Sequence, residues 1–238
     1  MNVSTSREPA KIAGMFDAIA RRYDTLNHLL SAGLDRRWRR LAIRALKLRP
    51  QDRLLDMCTG TADLAIAAVT SPAGAPGDVV GIDFSGEMLR LGLAKVRAAG
   101  LAARVRLVRG DATRVPLPDD SVDAAAVAFG IRNVVDRDRG CREFARVLRP
   151  GGRLAVLEFG TPRWPGVKQV YQWYFRAVLP RIGGLISGNS DAYAYLPASV
   201  GEFPAPDQFA AVLRAAGFSE VEWKSLTFGV VYLYVAIK

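Results

Sequence analysis

Residues 54–65 read LLDMCTGTADLA. An apolar run ends in Asp56, a short turn holds a single glycine, Gly60, and a helical pattern follows. Strand, tight turn and helix in that order open a parallel α/β sheet, whose ligands sit at the carboxyl ends of strands where the strand order reverses. A diphosphate would draw on several glycines, as in G-x-G-x-x-G. Here Thr59, Thr61 and Ala62 surround one glycine, and Asp56 and Asp63 add two carboxylates. Negative charge repels a diphosphate and attracts a sulfonium or an ammonium. The turn is therefore expected to serve a cationic ligand.

Working outward, the same alternation continues. DVVGIDF (78–84), VRLVRGDA (105–112), DAAAVAFG (123–130) and RLAVLEFG (153–160) read as strands, with helices expected near 62–70, over 86–99 and over about 137–148. This predicts right-handed crossovers and a mainly parallel, doubly wound sheet. The end of the chain differs. A helix expected over 205–216 stops at Gly217, and VEWKSLT and VVYLYVAIK are separated only by Phe228 and Gly229. That connection is too short for a parallel crossover, so an antiparallel hairpin should finish the sheet at one edge.

Two further acids mark strand ends. Asp83 follows the glycine turn by about 20 residues, where a carboxylate can accept from ribose hydroxyls, and Asp111 can accept from an adenine amine while the Ala112 N–H meets the ring edge. An acid at each of three successive strand ends fits S-adenosylmethionine.

Whole-chain properties narrow the remaining classes. The 238 residues, half of them hydrophobic, suffice for one large domain spanning 1–238. A soluble cytoplasmic protein is expected, since no run reaches the ~20 apolar residues of a membrane span and MNVSTSREPAKIAGMF lacks a signal-peptide core. Two cysteines and one histidine give little support to metal chemistry. The net charge of +10 suits an anionic partner, nucleic acid or lipid surface. Residues 11–50 read as helical, and 36–49 hold Arg36, Arg37, Arg39, Arg40, Arg44, Lys47 and Arg49 with no acid. Interleaved with Trp38, Leu41, Ile43 and Leu46, that stretch could lie on an anionic membrane with its apolar side inward.

The chain resembles the ubiquinone/menaquinone biosynthesis C-methyltransferases. The likeness is carried by MFDAIARRYDTLNHLLSAGLDRRWRR (15–40), by the glycine turn, by AVAFGIRNVVDRDRGCREFARVLRPGGRLAVLEFGTP (126–162) and by DAYAYLPASVGEFP (191–204). FGIRN and YLPASVGEFP are its more specific parts. The resemblance implies a class I S-adenosylmethionine-dependent methyltransferase fold of seven strands, with Asp56, Thr59, Gly60, Thr61, Asp83, Phe84, Asp111, Ala112 and Ala128 at the cofactor. It implies a prenylated quinol as the acceptor, methylated on a ring carbon. Ala62 stands where a second glycine is usual in the family, Ala128 where several members have serine, and Asp35 where His is common.

Methyl transfer to an aromatic carbon needs alignment and a more nucleophilic ring. Arg132, after the fourth strand, is expected to hold the phenolic oxygen, with Asn133 orienting the ring. Tyr23 or Asp24, in an N-terminal lid, could serve as a base, and Tyr193 and Tyr195 are expected to line the acceptor pocket under a roof formed by 161–204. His28 reads as a solvated helix residue, and Cys58 lacks a paired base. A nucleic-acid amine methyltransferase would carry an Asp/Asn-Pro-Pro-aromatic loop where FGIRN stands, so no nucleic-acid partner is expected. A non-catalytic nucleotide-binding module is the other rival, disfavoured by the complete set of three acids. A homodimer and a peripheral position at the inner membrane face complete the expectations.

Overall fold

The strand order of the computed structural model, which describes residues 9–72, 74–173 and 190–238, is β3-β2-β1-β4-β5-β7-β6. The strands are β1 (Arg53–Met57), β2 (Asp78–Asp83), β3 (Val105–Arg109), β4 (Val122–Ala128), β5 (Leu148–Phe159), β6 (Glu220–Leu226) and β7 (Val231–Ile237). The first five run parallel, and β7 inserts antiparallel between β5 and β6. The order reverses between β1 and β4, which places a switch point beside the glycine turn. The expected hairpin is present, and only its second strand is reversed.

Alternation along each strand divides the core in two. Leu55 and Met57 face one layer, with Phe144 and Phe209 from α5 (Arg137–Val147) and α8 (Pro206–Ala215). Leu54 faces the other, with Trp38, Ile43 and Leu46 of α2 (Leu34–Leu46), Leu64 of α3 (Asp63–Val69) and Val96 of α4 (Gly86–Ala98). The helix bounds differ from those expected by one or two residues. The N-terminal region is two helices, α1 (Pro9–Leu30) and α2, parted at Ala32 and Gly33, both in left-handed backbone conformation. α6 (Pro165–Trp173) and α7 (Ser190–Gly201) lie in the 161–204 segment, and residues 174–189 of that expected roof, with the Tyr193 side chain, lie outside the described residues.

α2 turns its apolar stripe to the sheet. Trp38, Ile43 and Leu46 are buried, and Leu41 packs at the core's margin. That stripe is therefore closed to lipid. Arg36, Arg37, Arg40, Arg44, Lys47 and Arg49 stay exposed, while Arg39 is buried between Asp35 and Asp63.

Candidate active site

The carboxyl ends of β1 to β4 surround a cavity of about 340 Å³. Gly60, Asp83, Phe84, Asp111, Ala112 and Ala128 all line it. Gly60 adopts a positive φ of 56°, which lets its N–H turn back and donate to Asp83 Oδ2 at 2.8 Å. Ser85 N–H donates to Asp83 Oδ1 at 2.9 Å. A carboxylate has about four acceptor sites, so each oxygen keeps capacity for a ribose hydroxyl. Asp111 Oδ1 accepts from Thr113 N–H at 2.8 Å, which leaves its second oxygen able to accept from an adenine amine. Burial raises the Asp83 pKa against the backbone donors that stabilise its charge.

The other three expected cofactor residues do not line the cavity. Thr59 donates its hydroxyl to Asp56 Oδ2 at 2.6 Å, and the Ala65 N–H donates to the same oxygen at 3.1 Å. Burial pushes Asp56 up to about 7. Thr61 donates to Asp24 Oδ1 at 2.6 Å. Asp63, the second carboxylate of the turn, is paired with Lys95 and lies 3.6 Å from Arg39. Asp56 and Asp63 are thus engaged internally. The preference for a cation comes instead from acids around the cavity. The Cys58 thiol in its wall is pushed well above its ordinary pKa, first by burial and then by Asp83, Asp56, Glu158 and Asp111. Asp83 and Asp111, both lining the cavity, set carboxylates where a sulfonium and its nucleoside would lie, so the site fits S-adenosylmethionine.

α1 lies across this cavity and is held at two points. Asp17 accepts from the Ser85 hydroxyl and from Glu87 N–H at 3.2 Å, at the N-terminus of α4. Asp24 binds Thr61 and, at 2.8 Å, Lys95 Nζ. Asp17 and Lys95 were not singled out from the sequence, where surface charges carry no partner information.

A second cavity, of about 450 Å³, lies behind the first. Phe16, Tyr23 and Phe129 line both, so the two share a wall. Trp38, Phe159, Tyr171 and Tyr195 make the second strongly aromatic, and Arg132 stands in its wall. The Arg132 side chain, 5% exposed, donates through Nη1 to the Phe129 carbonyl and at 2.8 Å to Glu158 Oε1. Its backbone N–H donates to Glu158 Oε2 at 3.1 Å, and its guanidinium lies 5.5 Å from the Phe159 ring centre. Burial works against the charge, but Glu158 and the Tyr23 and Tyr195 phenols outweigh it, and the Arg132 pKa is raised. Arg132 therefore stays cationic within a fixed, buried pair. Its Nε is buried and has no hydrogen-bond partner among the described residues.

Asn133 lines the first cavity and accepts at 3.1 Å from the hydroxyl of Tyr195, which lines the second. Tyr23 holds its proton more firmly than a free phenol, chiefly through burial. His28 places Nδ1 2.7 Å from Asp35 and is a partly buried partner of that acid. Glu158 is the most consequential residue missed. It is fully buried after the apolar run 154–157 of β5, and a lone acid in such a run signals a required partner.

A reversed seventh strand, a cofactor cavity at the switch point and an adjoining aromatic chamber define a class, the S-adenosylmethionine-dependent methyltransferases. The chain belongs to the ubiE/COQ5 methyltransferase family, whose model matches residues 4–238. It is 49% identical to the ubiquinone/menaquinone biosynthesis C-methyltransferase UbiE of Geotalea daltonii, with 96% of each chain covered. It is also 49% identical to the demethylmenaquinone methyltransferase of Thermus thermophilus, over 93% of this chain and 98% of that one. Among solved structures, the [4+2]-cyclase SpnF superposes with a TM-score of 0.70 at 20% identity, covering 95% of this chain and 94% of the other. A possible histamine N-methyltransferase from Thermotoga maritima superposes at 0.62 with 20% identity, covering 94% and 99%. At such identities these structures speak for the fold alone.

Proposed function

We propose that the protein moves a methyl group from S-adenosylmethionine to a ring carbon of a prenylated quinol, demethylmenaquinol or a ubiquinol precursor, seated in the second cavity. Arg132 carries this reading. A buried guanidinium whose Nε lacks an acceptor costs about 1–3 kcal/mol, and a ring oxygen in the aromatic chamber would satisfy it. The bound cofactor supplies a methyl group that is already activated. The chain's own residues raise the nucleophilicity of the ring. Arg132, fixed by Glu158, holds the ring oxygen as its proton passes to solvent water, and the charge developing there passes to the ortho carbon, which takes the methyl group from sulfur and then releases its own proton to water. Asn133 and Tyr195, hydrogen-bonded across the shared wall, orient the ring. Tyr23 stands at the junction and relays a hydrogen bond to the same oxygen. Both oxygens of Asp24 are engaged by Thr61 and Lys95, so its assigned role is to hold α1 closed rather than to take a proton.

The basic outer face of α2 is assigned to an anionic membrane surface, from which a prenylated acceptor would be drawn. No helix among the described residues is long and apolar enough to cross a membrane. The test is a purified protein given labelled donor and a panel of short-chain quinol, phenol and RNA acceptors. Label on the quinol ring is the expected result; label in RNA, or none in the quinol, would overturn the assignment.

A further inference from the structure

The second cavity is aromatic along much of its wall but carries two unlike poles. Arg132 offers a donor, its unpartnered Nε. Asp35, at the start of α2, is the single carboxylate among the described residues that line the cavity, and it is 3% exposed. Burial works to raise its pKa, but the His28 imidazole, the Arg39 guanidinium and the Ser31 hydroxyl outweigh it, and the pKa is lowered. Asp35 is therefore held as an anion, which can accept hydrogen bonds and cannot donate one.

Its two oxygens are not equally occupied. Oδ2 lies 2.7 Å from His28 Nδ1 and accepts from Arg39 Nη1. Oδ1 accepts from the Ser31 hydroxyl at 2.9 Å, which takes one of its roughly two acceptor places. One place is left for a donor in the chamber.

The two poles are neighbours. Arg39, bound to Asp35, lies 5.9 Å from the Phe129 ring centre, Arg132 lies 5.5 Å from that of Phe159, and the two ring centres are 4.5 Å apart. The Tyr23 phenol, whose pKa burial raises, is pulled the other way by Arg132 and by Arg39, so it stands within electrostatic reach of both poles. A ring seated among these groups meets a donor at one edge and an acceptor at another.

That pairing separates the two oxidation states of the acceptor. A quinol offers an oxygen to Arg132 and, at the opposite end of its ring, an O–H to Asp35. A quinone has two carbonyl oxygens and no O–H, so one of them would face a buried carboxylate with no proton between, which is costly where water is excluded. The oxidised ring would also block the chamber to no purpose, because its carbons are electron-poor and do not attack a methyl group.

We propose that Asp35 selects the reduced form of the acceptor, taking a hydrogen bond from the quinol hydroxyl farther from the methylated carbon and turning the quinone away. This selection rests on the acceptor proposed above and names the residue that reads its oxidation state.

The test is equilibrium binding of a short-chain demethylated quinol, kept reduced with dithionite under argon, and of the corresponding quinone, to protein loaded with S-adenosylhomocysteine so that no methyl group can move. Wild type should bind the quinol at least about tenfold more tightly than the quinone, as for a hydrogen bond to a charged group. Asp35→Asn, whose amide can also donate to a carbonyl, should weaken the quinol, strengthen the quinone and so lose the preference. Its Tm and its affinity for S-adenosylhomocysteine report whether it is folded. Ser31→Ala, which frees Oδ1 and leaves the charge in place, should keep the preference. Equal binding of both forms by the wild type, an Asp35→Asn variant in which both forms weaken alike, or loss of the preference in Ser31→Ala would overturn Asp35 as the selecting residue and leave the acceptor assignment standing. Binding of neither form by the wild type would overturn both.

Discussion

The two cavities share a wall but are made of different material. The first is built from strand ends and the turns that follow them, with Gly60, Asp83 and Asp111 positioned by backbone hydrogen bonds. The second takes Phe129, Arg132 and Phe159 from the ends of β4 and β5 but is built mainly from side chains of α1, α2, α6, α7 and the β6–β7 turn, which converge from distant parts of the sequence. Backbone geometry therefore fixes the cofactor end, and side-chain packing shapes the acceptor end. The buried pair of Arg132 and Glu158 ties the cation in the second cavity's wall to β5.

Breaking that joint should have the largest effect. Glu158→Ala would leave Arg132 as an unpaired buried charge, and stability measured by urea unfolding should fall by about 3–5 kcal/mol. Unchanged stability would mean that Arg132 does not depend on Glu158 and that the cavities are not tied in this way. The next effect should be confined to the first cavity. Asp83→Ala should weaken cofactor binding by roughly 1.5–3 kcal/mol in calorimetry, while a short-chain quinol analogue binds as before. Equal losses for both ligands would erase the division between the cavities.

A pH experiment sharpens the backbone side of the comparison. Burial raises the folded-state pKa of Asp56 to about 7, from an ordinary value of 3.8. Between those values the folded state holds a proton that the unfolded state has released. The associated stability is present below about pH 4 and declines as pH rises towards 7. Relative to wild type, Asp56→Asn should therefore gain stability from pH 4 to pH 8, followed as the difference in Tm. A difference independent of pH would show that Asp56 is already ionised in the fold. The smallest effect belongs to Ala62, which caps α3 with a left-handed φ of 67°. Ala62→Gly should relieve that strain and stabilise the protein by up to about 1 kcal/mol. A loss of stability would mean that the turn carries no strain there.

The same division explains what could be read from the sequence. Strand alternation, the glycine turn and the acids at strand ends repeat a local pattern, so the sheet and its reversed end were legible, and so was the gathering of Gly60, Asp83, Asp111 and Ala112 at one end of it; Phe84 and Ala128, which line the same cavity, came only through the resemblance. Thr59 and Thr61 were read as ligand contacts because sequence shows that a hydroxyl is in the turn but not where it points. In the fold their hydroxyls donate to Asp56 and Asp24 and lie outside the lining of the first cavity. The basic α2 looked like a surface helix, yet its apolar stripe is core, because charge on one face says nothing about which neighbour covers the other. Glu158 and the chamber aromatics required the fold, since their partners lie far away in sequence. Glu158 meets Arg132, 26 residues earlier, and Tyr195 meets Asn133, 62 residues earlier.

Whether Arg132 holds a ring oxygen while carbon receives the methyl group is decided by a single-turnover comparison. Wild type and Arg132→Ala, each saturated with labelled donor, are mixed with a short-chain demethylated quinol, and the product is located by NMR. The wild-type methyl should sit on a ring carbon, and the variant should bind the donor normally but react about 10²–10³ slower, as for loss of one preorganised donor. A variant that reacts at the wild-type rate would remove Arg132 from the chemistry, and a wild-type product methylated on oxygen would make the ring oxygen the nucleophile in place of carbon.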